Sequence, residues 1–129
     1  MGMSNRATMF ALNFYNTLYG DVLRKGRKSA TIRLGNKTAK YQSGQLVWVT
    51  VGQRFGRRHK LFTAILDMVE VKPIKELTPR DIQRENPEFR TKDEVIALLS
   101  RVYDLPIDEA TLITIIYFSP VDEYGLDGI

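Results

Sequence analysis

The chain has 129 residues, of which 43% are hydrophobic and none is cysteine; 19 basic and 15 acidic side chains give a formal net charge of +4. That length fits one domain around one core. The absence of cysteine excludes disulfide frameworks, zinc–thiolate sites and cysteine nucleophiles, and a reducing, cytoplasmic setting is expected.

No apolar run approaches the roughly 20 residues that span a bilayer, and residues 1–20 lack the apolar core of a secretory signal, so no membrane role is expected. Met1-Gly2-Met3-Ser4-Asn5-Arg6 begins like a myristoylation signal, but Arg6 stands where serine or threonine is wanted. Met1-Gly2 therefore reads as a tag scar or a plain start.

In chain order, residues 10–14 read as a short strand. Residues 15–25 carry Tyr15, Leu18, Tyr19, Val22 and Leu23 at helical spacing, with Gly26 where a left-handed helix stop belongs. Residues 29–34 contain the β-branched Thr31 and Ile32 and read as a strand that aims Thr31 and Arg33 from one face. A polar loop follows over 35–44. Residues 46–51 are nearly all apolar, the pattern of a strand buried on both faces, with Trp48 in the core. Residues 52–60 form a basic hairpin tip containing Phe55, and a long strand covers 61–71.

Thr78-Pro79-Arg80-Asp81 sets a cap, a first-turn proline and an early acid in helix-starting order, predicting a short helix to about Asn86 that Pro87 helps to stop. Thr91-Lys92-Asp93-Glu94 reads as a capping box for a third helix with Val95, Ile96, Leu98, Leu99, Val102 and Tyr103 as its stripe. Residues 111–118 close the chain as a strand. The expected domain covers 1–121, with 122–129 as a flexible tail. Dispersed helices among long β runs predict an α+β fold with a small, mostly antiparallel barrel and about three flanking helices.

Charge is gathered rather than spread. Arg24, Lys25, Arg27, Lys28 and Arg33 lie close together, Lys37 and Lys40 follow, and Arg54, Arg57, Arg58, His59 and Lys60 form a second cluster. Such clusters serve either as a solvated surface or as a phosphate-facing patch.

Lys28, Thr31 and Arg33 leave the first helix as a compact group suited to an anionic or carbonyl-bearing ligand. A threonine hydroxyl needs a base, and a lysine becomes one when burial or neighbouring cations such as Arg24, Arg27 and Arg33 lower its pKa from about 10.4. Arginine stays charged, so Arg33 suits a phosphate or an oxyanion, with Arg27 and Arg24 as further phosphate ligands. Glu85 follows Ile82 by three residues on the short helix and points inward on that spacing. The plain alternative is a solvated Lys–Glu pair and a threonine present for its β-propensity. His59 is the single histidine, and no cluster has metal-ligand spacing, so neither a metal nor a cofactor is expected. Tyr41, Phe55, Tyr117 and Tyr124 are candidates for stacking on bases.

Gly26-Arg27-Lys28-Ser29-Ala30-Thr31-Ile32-Arg33 resembles the signature of ASCH domains. The likeness continues through the Gly44 turn, the Leu46 strand, Leu77-Thr78 and the closing strand. It implies a PUA-like barrel with RNA or a modified nucleoside as ligand. Gln83-Arg84-Glu85-Asn86 is similar to the segment in which small bacterial amidohydrolases, which remove acetyl from N4-acetylcytidine, place their acid. That resemblance implies Lys28 as base, Thr31 as nucleophile and Glu85 as proton donor. The chain departs from that branch in its length, larger hairpin tip and extended third helix and tail. Beside this amidohydrolase stand an RNA-binding module, whose Arg54, Arg57, Arg58 and Lys60 grip phosphates while Phe55 or Tyr41 stacks, and a ribonuclease using the same cleft. A purely protein-binding role is the blandest alternative, and a monomer or weak dimer is expected.

Overall fold

The computed structural model describes residues 9–14, 19–53 and 56–121. The elements run β1 (Ala11–Phe14), α1 (Tyr19–Arg24), β2 (Ala30–Leu34), β3 (Leu46–Gly52), β4 (Arg58–Pro73), a 3-10 turn (Ile74–Glu76), α2 (Pro79–Glu85), α3 (Lys92–Tyr103) and β5 (Leu112–Pro120). The architecture is α+β. One five-stranded sheet has the order β1-β3-β4-β5-β2; β1 pairs with β3 in parallel, and the other neighbours pair antiparallel. The sheet curls into a half-barrel with β1 and β2 as its edges. A side chain spans that seam: Arg33 Nη2 on β2 donates to the Asn13 carbonyl on β1 at 3.0 Å.

Local chemistry places the element ends as expected. Gly26, at φ +72°, takes the left-handed turn that ends α1. Thr78 and Asp81 form a reciprocal capping box on α2 with Pro79 in the first turn, and Thr91 and Glu94 do the same on α3. At Gly52 the β3–β4 connection closes so tightly that a Cβ would lie 2.3 Å from the Arg57 carbonyl oxygen.

Two cores lie on opposite faces of the sheet. Leu12, Phe14, Leu23, Val47, Val49, Leu66, Ile116 and Phe118 belong to one. The second joins Ile32, Ile113 and Ile115 to Ile74, Ile82, Val95 and Leu99 from the helical segment. β5 feeds both, and its residues Ile113, Thr114, Ile115 and Ile116 are fully buried.

This corrects the expectation for residues 46–51. β3 buries Val47 and Val49 but exposes Leu46 and Trp48, the latter by 43%. The packed helices α2 and α3 join the core fed by β5 and β2, so double burial falls there and Trp48 is not a core residue. Lys60 Nζ lies 5.7 Å from the Trp48 ring centroid. The basic tip is also shorter than expected, because Arg58, His59 and Lys60 already pair with Gly52, Val51 and Thr50 in the hairpin ladder. Tyr41 is buried, with its hydroxyl on the Ala11 carbonyl at 2.8 Å, so it offers no stacking face. Arg54, Phe55, Tyr15, Leu18, Tyr124 and the expected tail lie outside the described residues.

Candidate active site

At the open seam, β1, the start of α1, β2, the end of α2 and the last turns of α3 enclose a cleft of about 390 Å³. Its lining includes Asn13, Phe14, Tyr19, Thr31, Arg33 and Glu85, with Leu98, Leu99, Arg101, Val102 and Tyr103 forming the α3 wall. That volume lies within the roughly 300–1,000 Å³ typical of small-molecule sites.

Lys28 and Glu85 meet behind the cleft. Their side chains are 0% and 5% exposed, and Nζ lies 2.9 Å from Oε2. Lys28 Nζ also donates to the Ala30 carbonyl at 2.8 Å and the Glu85 carbonyl at 2.5 Å. Glu85 is the last residue of α2, so the ammonium satisfies a carbonyl that the helix itself leaves unpaired, at the end where the helix dipole favours a cation. Three acceptors thus match its three N–H donors. Phe14 and Tyr19 cover it, with ring centroids 5.2 and 4.7 Å from Nζ.

Burial holds the Lys28 pKa below the ordinary lysine value, the Glu85 carboxylate opposes that shift, and the Arg33 charge adds to it. Glu85 Oε2 also accepts the Ile32 backbone N–H at 2.9 Å, tying α2 to β2. Burial, followed by the Glu85 charge, pushes the Tyr19 phenol well above its usual range, so Tyr19 faces the cleft as a protonated hydroxyl.

Thr31 and Arg33 share one face of β2, as strand alternation requires. Arg33 Nε donates to Thr31 Oγ1 at 3.1 Å, and its guanidinium carbon lies 5.1 Å from the Phe14 ring centroid. The partner strand is fixed in turn: Asn13 Nδ2 donates to the Gly52 carbonyl at 3.0 Å, and Thr50 Oγ1 donates to Asn13 Oδ1 at 2.7 Å. Arg33 is therefore a rigid cation beside the Thr31 oxygen.

Lys28, Thr31, Arg33 and Glu85 are thus gathered at one place. Arg24 and Arg27 are not. Both are exposed and neither lines the cleft, and Arg24 faces Asp21 at 3.6 Å. Arg24 lies on the exposed side of α1, away from the buried Leu23, and Arg27 leaves the Gly26 turn into solvent before the chain folds Lys28 inward. Arg57, Arg58 and Lys60 belong to the exposed hairpin and also stand apart from the cleft. Asn13, Tyr19 and Arg101 are lining residues that sequence reasoning missed. A lone polar residue inside the apolar run of β1 was the one available signal, for Asn13. No group of three or more His, Cys, Asp or Glu side chains among the described residues could hold a metal, and no helix among them is long and apolar enough to cross a membrane.

No protein-family model matches the sequence, and no curated protein matches it significantly. Solved structures do match. An ASCH domain from Lactobacillus crispatus JV V101 superposes with a TM-score of 0.64 at 15% identity, over 91% of this chain and 82% of that one. A protein from Enterococcus faecalis V583 described by the family model DUF984 gives 0.63 at 18% identity, over 90% and 82%. The hypothetical protein PH0355 gives 0.63 at 14% identity, over 88% and 100%. The half-barrel, its helices and the cleft at its seam are therefore carried on the ASCH-like, PUA-like fold.

Proposed function

We propose that the chain is an amidohydrolase that removes an acyl group from the exocyclic nitrogen of a modified cytosine, with N4-acetylcytidine as the reference substrate. The observation that carries this reading is the buried Lys28–Glu85 pair at 2.9 Å, set behind a nucleoside-sized cleft whose lining holds Thr31 and Arg33. The likeness of the Lys28, Thr31 and Glu85 segments to the acetylcytidine amidohydrolases supplies the reaction class.

In the resting arrangement the Lys28 donors are all engaged, and its partners do not include Thr31. The reaction therefore begins when the Lys28 proton passes to Glu85, leaving a neutral amine and a carboxylic acid. The amine then takes the Thr31 hydroxyl proton, directly or through one water, as Oγ1 bonds to the acyl carbonyl carbon. Arg33, already beside Oγ1, stabilises the developing oxyanion. Glu85 returns its proton to the cytosine nitrogen as the carbon–nitrogen bond breaks, leaving acetate esterified to Thr31. A water then attacks that ester, its proton passing to the basic pair, and acetate leaves as Thr31 is reprotonated.

The test measures acetate release from N4-acetylcytidine by wild type, Thr31→Ala and Glu85→Gln. Both substitutions should cut kcat by at least about 100-fold. The wild-type rate should fall as pH rises through a pKa below the ordinary lysine value of 10.5, because the pair must keep the one proton that Lys28 passes to Glu85 and Glu85 delivers to the leaving nitrogen. Equal turnover in the three proteins would end the reading.

A non-catalytic RNA-binding role draws on a different surface. Exposed Trp48 beside Lys60 forms a stacking face next to the basic hairpin. RNA affinity that falls steeply with salt, is lost in Trp48→Ala and survives Thr31→Ala would favour it. A ribonuclease using the cleft would instead release cleaved RNA without acetate.

A further inference from the structure

The two arginines of the cleft are placed differently. Arg33 is fixed at the reacting end by its bonds to Thr31 and Asn13. Arg101 stands on the otherwise largely apolar α3 wall, among Leu98, Val102 and Tyr103. It is exposed, and among the described residues no carboxylate lies within ion-pair distance of it. Arg101 and Tyr19 both line the cleft, from α3 and from the start of α1.

Among the described residues Glu85 is the one carboxylate of the lining, and Lys28 already balances it. The cleft therefore presents, among the described residues, two guanidinium groups with no acid left to offset them. An uncharged nucleoside would use Arg33 and leave the Arg101 fork facing water. A planar guanidinium matches a phosphate in both charge and geometry.

We propose, resting on the amidohydrolase reading, that the cleft takes its acylated cytosine as a nucleotide, with Arg101 as a specificity-determining residue that binds the phosphomonoester. Arg33 serves the reacting carbonyl, and Arg101 serves the phosphate from the α3 wall.

The experiment compares kcat/KM for N4-acetylcytidine, its 5′-monophosphate and its 3′-monophosphate in wild type, Arg101→Lys and Arg101→Gln. Alongside it, calorimetry measures the affinity of cytidine and its two monophosphates for the same proteins. Wild type should prefer one monophosphate by about tenfold or more in both measurements, and the preferred isomer tells which sugar oxygen carries the phosphate. The preference should persist in part in Arg101→Lys, vanish in Arg101→Gln and weaken as salt is raised. Arg101 also lies in the last turn of α3, where a cation suits the helix dipole; that role alone would leave the substrate ratio unmoved. Equal handling of nucleoside and both nucleotides by wild type overturns the proposal while leaving hydrolysis intact. A preference unchanged in Arg101→Gln overturns the assignment to Arg101. Tighter binding of a cytidine monophosphate that depends on Arg101, without hydrolysis of any acylated compound, removes the amidohydrolase reading and supports the phosphate site.

Discussion

Two lysine–carboxylate pairs anchor opposite ends of the same short helix, and they behave differently. At the start of α2, Lys72 Nζ lies 2.8 Å from Asp81 Oδ2 and 3.3 Å from Glu70 Oε1. Asp81 also accepts the Thr78 N–H at 2.9 Å and the Tyr117 hydroxyl at 2.6 Å. At the end of the helix, Lys28 meets Glu85. Asp81 and Glu85 are four residues apart, so one face of α2 carries both acids inward.

Burial lowers Lys28, whereas at Lys72 burial also pulls downward but the Asp81 and Glu70 carboxylates outweigh it and raise the pKa. Lys72 retains 12% side-chain exposure and two acidic partners; Lys28 is fully dehydrated with Arg33 nearby. The same pair of residue types thus holds the lysine proton more tightly where the charge is partly hydrated and less tightly where burial dominates.

The largest effect that would break this contrast is expected at Lys28. Lys28→Met leaves the Glu85 carboxylate buried without its cation and should cost about 3–5 kcal/mol in denaturant unfolding. Adding Glu85→Gln, which keeps an acceptor for the Ile32 N–H while removing the charge, should recover a large part of that loss. If the double variant is as unstable as the sum of the singles, the pair is not coupled as described.

A smaller effect is expected at the other end of the helix, where Asp81→Asn should cost about 2 kcal/mol by weakening the bonds from Lys72 and Tyr117. Burial raises the Asp81 pKa, but Lys72, Thr78 and Tyr117 outweigh it and hold the group below 3.8. Its contribution is therefore present above that pH and is lost as pH falls through the folded-state value. Unfolding measured across pH should show the wild-type advantage over Asp81→Asn closing in the acid range; a gap that does not change with pH would contradict the ion-pair account.

Tyr117→Phe, which removes one hydrogen bond to Asp81, should cost about 1 kcal/mol in thermal or denaturant unfolding. It should leave acetate release unaltered, because Tyr117 is not among the residues lining the cleft. A drop in turnover would join the two ends of α2 more closely than the contacts indicate.

Much of this arrangement was legible in the sequence where a feature depends on neighbours only a few residues away. The two capping boxes, the Gly26 stop and the shared face of Thr31 and Arg33 are such features, since backbone hydrogen bonding and strand alternation are local. The inward turn of Glu85 follows from helical spacing after Ile82. Its meeting with Lys28 had only the family resemblance behind it, because the two are 57 residues apart.

Other features depended on which surfaces meet. An apolar run at 46–51 and another at 111–118 look alike as strings, yet β3 exposes Trp48 while β5 is buried on both faces, because only β5 contributes to both cores. Arg24 and Arg27 share a basic cluster with Lys28 and Arg33, but Arg24 lies on the exposed side of α1 and Arg27 leaves the following turn into solvent. Arg101 reads as one more charge at the end of an amphipathic helix until α3 is set across the seam from β1. The sequence by itself determined the elements and their ends through short-range bonding. The tertiary structure decided the cleft, because its walls come from strands and helices that touch only when the sheet curls and brings its two edges together.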